Sequence, residues 1–161
     1  MGLRFPEQKN AGCFFITTVF RDHQPYGSLV GVYEFLAESL RFCSRKYHAM
    51  ISGYVFMPSH VHLLLFIDGK HLGDYMRDFK KFISQKTIKD LGVSDSQIWM
   101  PRYDRVVIYT ERVFLQKLGY IHSNPVKATL AETPEQWKWS SAATYAGLES
   151  GSIDIWKDWS D

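Results

Sequence analysis

The sequence predicts an α+β fold, and three observations carry that reading. Short stretches rich in β-branched and aromatic side chains alternate with two long segments whose apolar residues recur at helical spacing. Their order along the chain is strand, helix, strand, strand, helix, strand. Only Met57-Pro58-Ser59 separates the second and third strands, which makes them antiparallel neighbours. That order is the ferredoxin-like split βαβ arrangement: a four-stranded antiparallel sheet with two helices on one face and the other face open for ligands.

The first strand is expected at 13–20 (CFFITTVF), ended by the polar, Pro- and Gly-bearing RDHQPYGS. Leu29, Tyr33, Leu36, Leu40 and Cys43 share one helical face and predict a helix over 29–45. Strands follow at 47–56 and 60–67. A second helix is expected from about 71 to about 89, striped by Leu72, Tyr75, Met76, Phe79, Phe82 and Ile83. Its other faces carry Arg77, Lys80, Lys81, Lys86 and Lys89, which read as a solvated surface or as an outlying cationic patch. After a loop at 92–97, residues 103–109 (YDRVVIY) form the fourth strand.

Thr110 can cap a third helix, with Glu111 in the first turn where a negative charge suits the helix dipole. Pro125 is expected to end or kink that helix. Beyond it, 126–131 and 134–146 read as short helical pieces. Four of the five tryptophans lie between Trp137 and Trp159, so this extension is expected to pack on the domain or on a partner.

With 161 residues, 45% apolar and 22% charged, the chain is sized for one soluble domain over 1–161, with a core at about 12–124 and a Trp-rich C-terminal helical extension at about 125–161. A net charge of +2 neither demands nor excludes a polyanionic partner. No apolar run reaches transmembrane length. Cys13 and Cys43 sit in apolar surroundings that suit free thiols, with no secretory segment ahead of them, so a cytoplasmic location is expected.

The chemistry centres on 50–68, MISGYVFMPSHVHLLLFID. Alternate side chains of a strand share a face, so His60 and His62 present their imidazoles together. Two neighbouring imidazoles suggest a divalent metal, which normally needs a third protein ligand; the plainer alternative is two histidines on the exposed face of a half-buried sheet. On the third helix Phe114, Leu118 and Ile121 mark the packed side. Lys117, Tyr120 and Asn124 lie toward another side, with Asn124 one turn beyond Tyr120. Taken alone, Tyr120 is an ordinary surface tyrosine and Asn124 a cap for a helix restarting at Pro125, with His122 a reserve ligand.

PSHVHLLLF, followed by YIHSNPVKATL and then WSS, resembles the HUH single-tyrosine transposases, most closely the REP-associated tyrosine transposases, over nearly the whole chain. The resemblance implies that His60 and His62 are metal ligands, that Tyr120 on the third helix is the nucleophile, and that Asn124 is the third ligand. It also implies Mg2+ or Mn2+, where imidazole alone would equally suit zinc. The expected activity is that of a metal-dependent endonuclease and strand transferase, a transposase acting on single-stranded or hairpin DNA through a 5′-phosphotyrosine intermediate. A monomer is favoured over a homodimer.

A tyrosine nucleophile makes chemical sense there, because the phosphotyrosine conserves the energy of the broken phosphodiester for rejoining. Arg102, Arg105, Lys117 and Lys127 are the candidates for neutralising DNA phosphates. Trp99 or Tyr103 could stack an unpaired base, although burial is the plainer fate of either. Two other classes remain open. One is a non-catalytic nucleic-acid-binding module using the open sheet face. The other is a zinc-dependent hydrolase built on His60, His62 and a carboxylate such as Asp104.

Overall fold

The structure, a computed structural model, describes residues 11–91, 98–148 and 153–159, with side chains described for all of these except 86–91. The expected loop at 92–97 and the side chains of Lys86 and Lys89 lie outside the described residues. The elements in order are β1 (Ala11–Val19), α1 (Val32–Lys46), β2 (Met50–Phe56), β3 (His60–Asp68), α2 (Gly69–Leu91), β4 (Asp104–Ile108), α3 (Glu111–Lys127) and the short α4 (Ala142–Tyr145). The sheet order is β2-β3-β1-β4, and every neighbouring pair is antiparallel. Each helical crossover therefore joins two parallel strands with a third between them, which is the ferredoxin-like arrangement expected from the element order.

Two boundaries differ from the apolar spacing. Gly31 takes a left-handed φ of 87°, so α1 starts at Val32 and Leu29 stays outside it. At the other end α1 runs to Lys46, and His48 turns the chain with a φ of 53°, so β2 begins only at Met50.

The sheet is covered on both faces. Val61, Leu63, Leu65 and Ile67 of β3 join Leu36 and Leu40 of α1 and Tyr75 and Phe79 of α2 in the larger core. The alternate residues Leu64 and Phe66, with Phe15 of β1 and Val55 of β2, meet Phe114, Leu118 and Ile121 of α3. The second face is thus not open, contrary to what the element order suggested. Two-sided burial also explains why β2 is buried along its whole length and β3 at all but its ends. α3 comes so close to β2 that a Cβ on Gly53 would lie 2.8 Å from Leu118 Cδ1, beside a bulge between Ile51 and Gly53.

α3 begins as its sequence indicates, with Thr110 Oγ1 accepting a hydrogen bond from the Val113 N–H at 3.3 Å. It does not end at Pro125. The proline falls in the last turn, where it costs a single i−4 bond, and the helix closes through Ala128 N–H to Asn124 O at 3.0 Å and Leu130 N–H to Pro125 O at 2.9 Å. Asn124 is therefore inside the helix and caps nothing.

The C-terminal extension is less helical than expected: a 3-10 turn at Pro134–Gln136 and the single turn of α4 flank a turn that carries one isolated bridge, Ser140 to Val55. That turn lies along the free edge of β2. Phe56 N–H donates to Trp139 O at 2.8 Å and Ser141 N–H to Tyr54 O at 3.0 Å, while Trp156 N–H reaches Ile51 O at 2.8 Å. Trp137 Nε1 donates to Phe56 O at 2.9 Å and Tyr145 Oη to Ser52 O at 2.7 Å. The Trp-rich segment thus satisfies an edge that would otherwise expose a row of unpaired backbone groups. Among the described residues no helix is long and apolar enough to cross a membrane.

Candidate active site

His60 and His62 begin β3 on the face that α3 covers, one imidazole beside the other with ring centroids 4.7 Å apart. The axis of α3 lays Tyr120 across them: its ring is 5.3 Å from that of His62 and 6.1 Å from Phe15, and the residue keeps 43% of its surface exposed. One turn on, the Asn124 side chain hydrogen-bonds His60. All four residues singled out in the sequence therefore meet, and they meet within one chain.

The two imidazoles sit in different depths of the same cleft. His62 is 4% exposed. Its Nδ1 lies 2.9 Å from Thr17 Oγ1, and its Nε2 is buried with no hydrogen-bond partner. Burial, and then the positive charge of His60 and Lys117, push the His62 pKa down to about 3, against a hydrogen bond from its ring to the Ile16 carbonyl. His60 is also lowered, first by burial, while its bond to Asn124 opposes the shift. Both rings are neutral at physiological pH, as a metal ligand must be.

An orphaned, buried Nε2 beside a second neutral imidazole and a carboxamide is a donor set that fits a divalent cation. No cluster of three His, Cys, Asp or Glu side chains able to hold a metal exists among the described residues. Asp104 lies on the same sheet face, but β1 separates it from His62: Thr17 pairs with both. The carboxylate that a zinc hydrolase would need is thus not at the histidines.

The cationic candidates divide. Lys117 holds its Nζ 4.8 Å from the Phe15 ring centroid, and Lys127 holds its own 5.6 Å from the Tyr120 ring centroid, so both flank the tyrosine along α3. Arg105 pairs with Ile16, which places it on the opposite sheet face from the histidines. Arg102 is exposed just ahead of β4. On α2, Arg77 is engaged by Asp74 and Asp78, and Lys80 Nζ donates to Met100 O at 2.8 Å. Trp99 is buried and stacked on Phe20 at 4.3 Å, and Tyr103 packs at the margin of the larger core. His122 turns away to Ser141 Oγ at 2.8 Å and is not a ligand beside His60.

Sequence reasoning missed Thr17 and Ser59, whose hydroxyls each lie 2.9 Å from a histidine Nδ1. Ser59 was adjacent to the motif throughout. Thr17 needed the β1–β3 register, which pairs it with His62.

No family model and no curated protein matches the chain. Among solved structures, a REP-associated tyrosine transposase bound to a REP hairpin superposes with a TM-score of 0.72 at 21% identity, over 90% of this chain and 88% of that one. A Deinococcus radiodurans protein described as a candidate transposase gives a TM-score of 0.51 at 18% identity, over 75% of this chain and 94% of that one. The first likeness spans nearly the whole of both chains, and so this chain has the fold of that tyrosine transposase.

Proposed function

We propose that the chain is a single-stranded DNA endonuclease and strand transferase, a transposase whose nucleophile is Tyr120 and whose divalent cation, Mg2+ or Mn2+, is held by His60, His62 and Asn124. The observation that carries this is the placement of a half-exposed tyrosine against a buried, neutral His62 with an unpartnered Nε2. When bound, the cation supplies Lewis-acid polarisation of the scissile phosphate. The protein supplies the rest.

Tyr120 Oη, after losing its proton to solvent, attacks the phosphorus. The P–O3′ bond breaks, the departing 3′ oxygen takes a proton from solvent to become an alcohol, and the 5′ end stays on the tyrosine until another 3′ hydroxyl reverses the step. α3 orients the phenol, since Leu118 and Ile121 are packed on the sheet on either side of it. Lys117 and Lys127 offset the charge of the incoming backbone along the same helix, with Arg102 as an outlying contact. A hairpin in the substrate is supported by the DNA seen on the REP-associated relative. Because one chain contains the whole set, a monomer suffices.

The test is to incubate the protein with labelled single-stranded hairpin DNA and Mn2+ and to look for a covalent adduct on a denaturing gel. The adduct should vanish in Tyr120→Phe and in His62→Ala. Cleavage without an adduct that survives Tyr120→Phe would refute the tyrosine mechanism, and tight binding with no cleavage would favour a non-catalytic module.

A further inference from the structure

Both histidines carry a hydroxyl on the same ring atom: Thr17 Oγ1 at His62 Nδ1 and Ser59 Oγ at His60 Nδ1, each at 2.9 Å. Neither placement is loose. Thr17 is the direct partner of His62 across β1 and β3. Ser59 is held by Phe20 N–H donating to its carbonyl at 2.9 Å, and Met57 N–H closes the turn on His60 O at 2.8 Å. Gly27 N–H donates to Pro58 O at 2.9 Å, and a Cβ on Gly27 would meet Met57 O at 2.7 Å, so the loop before His60 is clasped from outside as well.

A hydroxyl can give or take a proton and does not by itself say which imidazole nitrogen bears the hydrogen. At His62 the second partner decides it. The ring also bonds the Ile16 carbonyl, which can only accept. Nε2 has no partner, so the nitrogen donating to that carbonyl is Nδ1. Thr17 Oγ1 is then an acceptor beside it, and the Nε2 lone pair is left unused in a buried position. At His60 the ring is shared between Ser59 Oγ at Nδ1 and the Asn124 side chain, so no partner there singles out a tautomer.

We propose that Thr17 is a positioning residue whose hydroxyl accepts the Nδ1–H of His62, holding that ring in the tautomer that frees Nε2 for a divalent cation. The proposal rests on the metal-site reading above. Outer partners of this kind fix ring orientation and ligand basicity, and losing one typically costs about 10–100-fold in metal affinity.

Long-range 1H–15N NMR correlations on the metal-free protein read the tautomers, and Mn2+ titration followed by the EPR signal of the free ion reads the site. The His62 ring should be Nδ1–H in the wild type. Thr17→Val should weaken Mn2+ binding about tenfold or more, while Thr17→Ser, which keeps the hydroxyl, should restore it. An Nε2–H signature at His62 of the wild type would overturn the proposal, as would unchanged Mn2+ affinity in Thr17→Val. If the wild type takes up no Mn2+ yet shows an Nδ1–H ring at His62 that changes tautomer in Thr17→Val, the metal reading fails and the positioning role stands.

Discussion

Gly53→Ala tests whether the contact between α3 and β2 sets the position of Tyr120. The added Cβ would lie 2.8 Å from Leu118 Cδ1, 3.5 Å from Ile121 Cδ1 and 3.6 Å from Leu64 Cβ. The first distance is roughly 1 Å short of ordinary carbon–carbon contact. The other two leave the leucine little room to turn aside, so the helix must lift. Overpacking of this kind costs about 1–3 kcal/mol. The backbone at Gly53 does not need a glycine, since among the described residues the positive-φ glycines are Gly31 and Gly147, so restricting the unfolded chain returns about 0.4–1 kcal/mol. The net expectation is a loss of about 1–2 kcal/mol, or a fall in Tm of roughly 2–8 °C for a chain of this size. Leu118 and Ile121 flank Tyr120 on α3, and a displacement of the nucleophile by ~1 Å can cost ~100-fold in rate. Urea unfolding gives the first quantity and the rate of covalent adduct formation the second, and Leu118→Val in the Gly53→Ala background should recover part of both by removing a methylene. A variant within about 0.5 kcal/mol of the wild type and with a normal adduct rate would refute the reasoning. Lower stability with a normal rate would show that the contact holds the helix without aiming the tyrosine.

Two further outcomes follow from buried polar groups. Burial pushes His62 down to about 3 and His122 down to about 4 from 6.5, so both are neutral in the folded chain while the unfolded chain protonates first. Their contribution is complete above pH 6.5 and is lost as the pH falls from there toward 4, at up to ~1.4 kcal/mol per pH unit for each. Urea midpoints should decline over that interval, and His122→Asn should reduce the slope; a flat profile would mean that the rings are not buried. Ser141→Ala removes the acceptor of the Tyr54 N–H at 3.1 Å and the partner of His122 Nε2 at 2.8 Å. Stranding a buried N–H costs about 1–3 kcal/mol, and the Tyr54 amide should lose hydrogen-exchange protection, whereas unchanged protection would show that the edge of β2 does not depend on this residue.

What was legible in the sequence was local. The strand period put His60 and His62 on one face, and the helical step put Tyr120 and Asn124 one turn apart, because both follow from a few consecutive dihedrals. What was not legible depended on distant pairing. The element order left one sheet face open for ligands, and only α3 docking against Leu64 and Phe66 shows that the second face is covered. That docking converts two independent motifs into one site: Gly53 admits Leu118, Leu118 fixes the helix, and the helix sets Tyr120 over His62 and Asn124 on His60. Pro125 misled because its cost was counted as for a helix interior, where in the last turn it removes one bond and leaves Asn124 helical. The WSS segment falls within an expected short helical piece, but its backbone bonds the edge of β2 and its Ser141 hydroxyl takes up His122. His122, two residues round α3 from Tyr120, is thereby tied to the extension while Tyr120 and Asn124 on the neighbouring face serve the histidines. The C-terminal segment and the nucleophile are consequently fixed by different sides of the same helical turn, and the extension also reaches the site through Val55, which bridges Ser140 and pairs with His62.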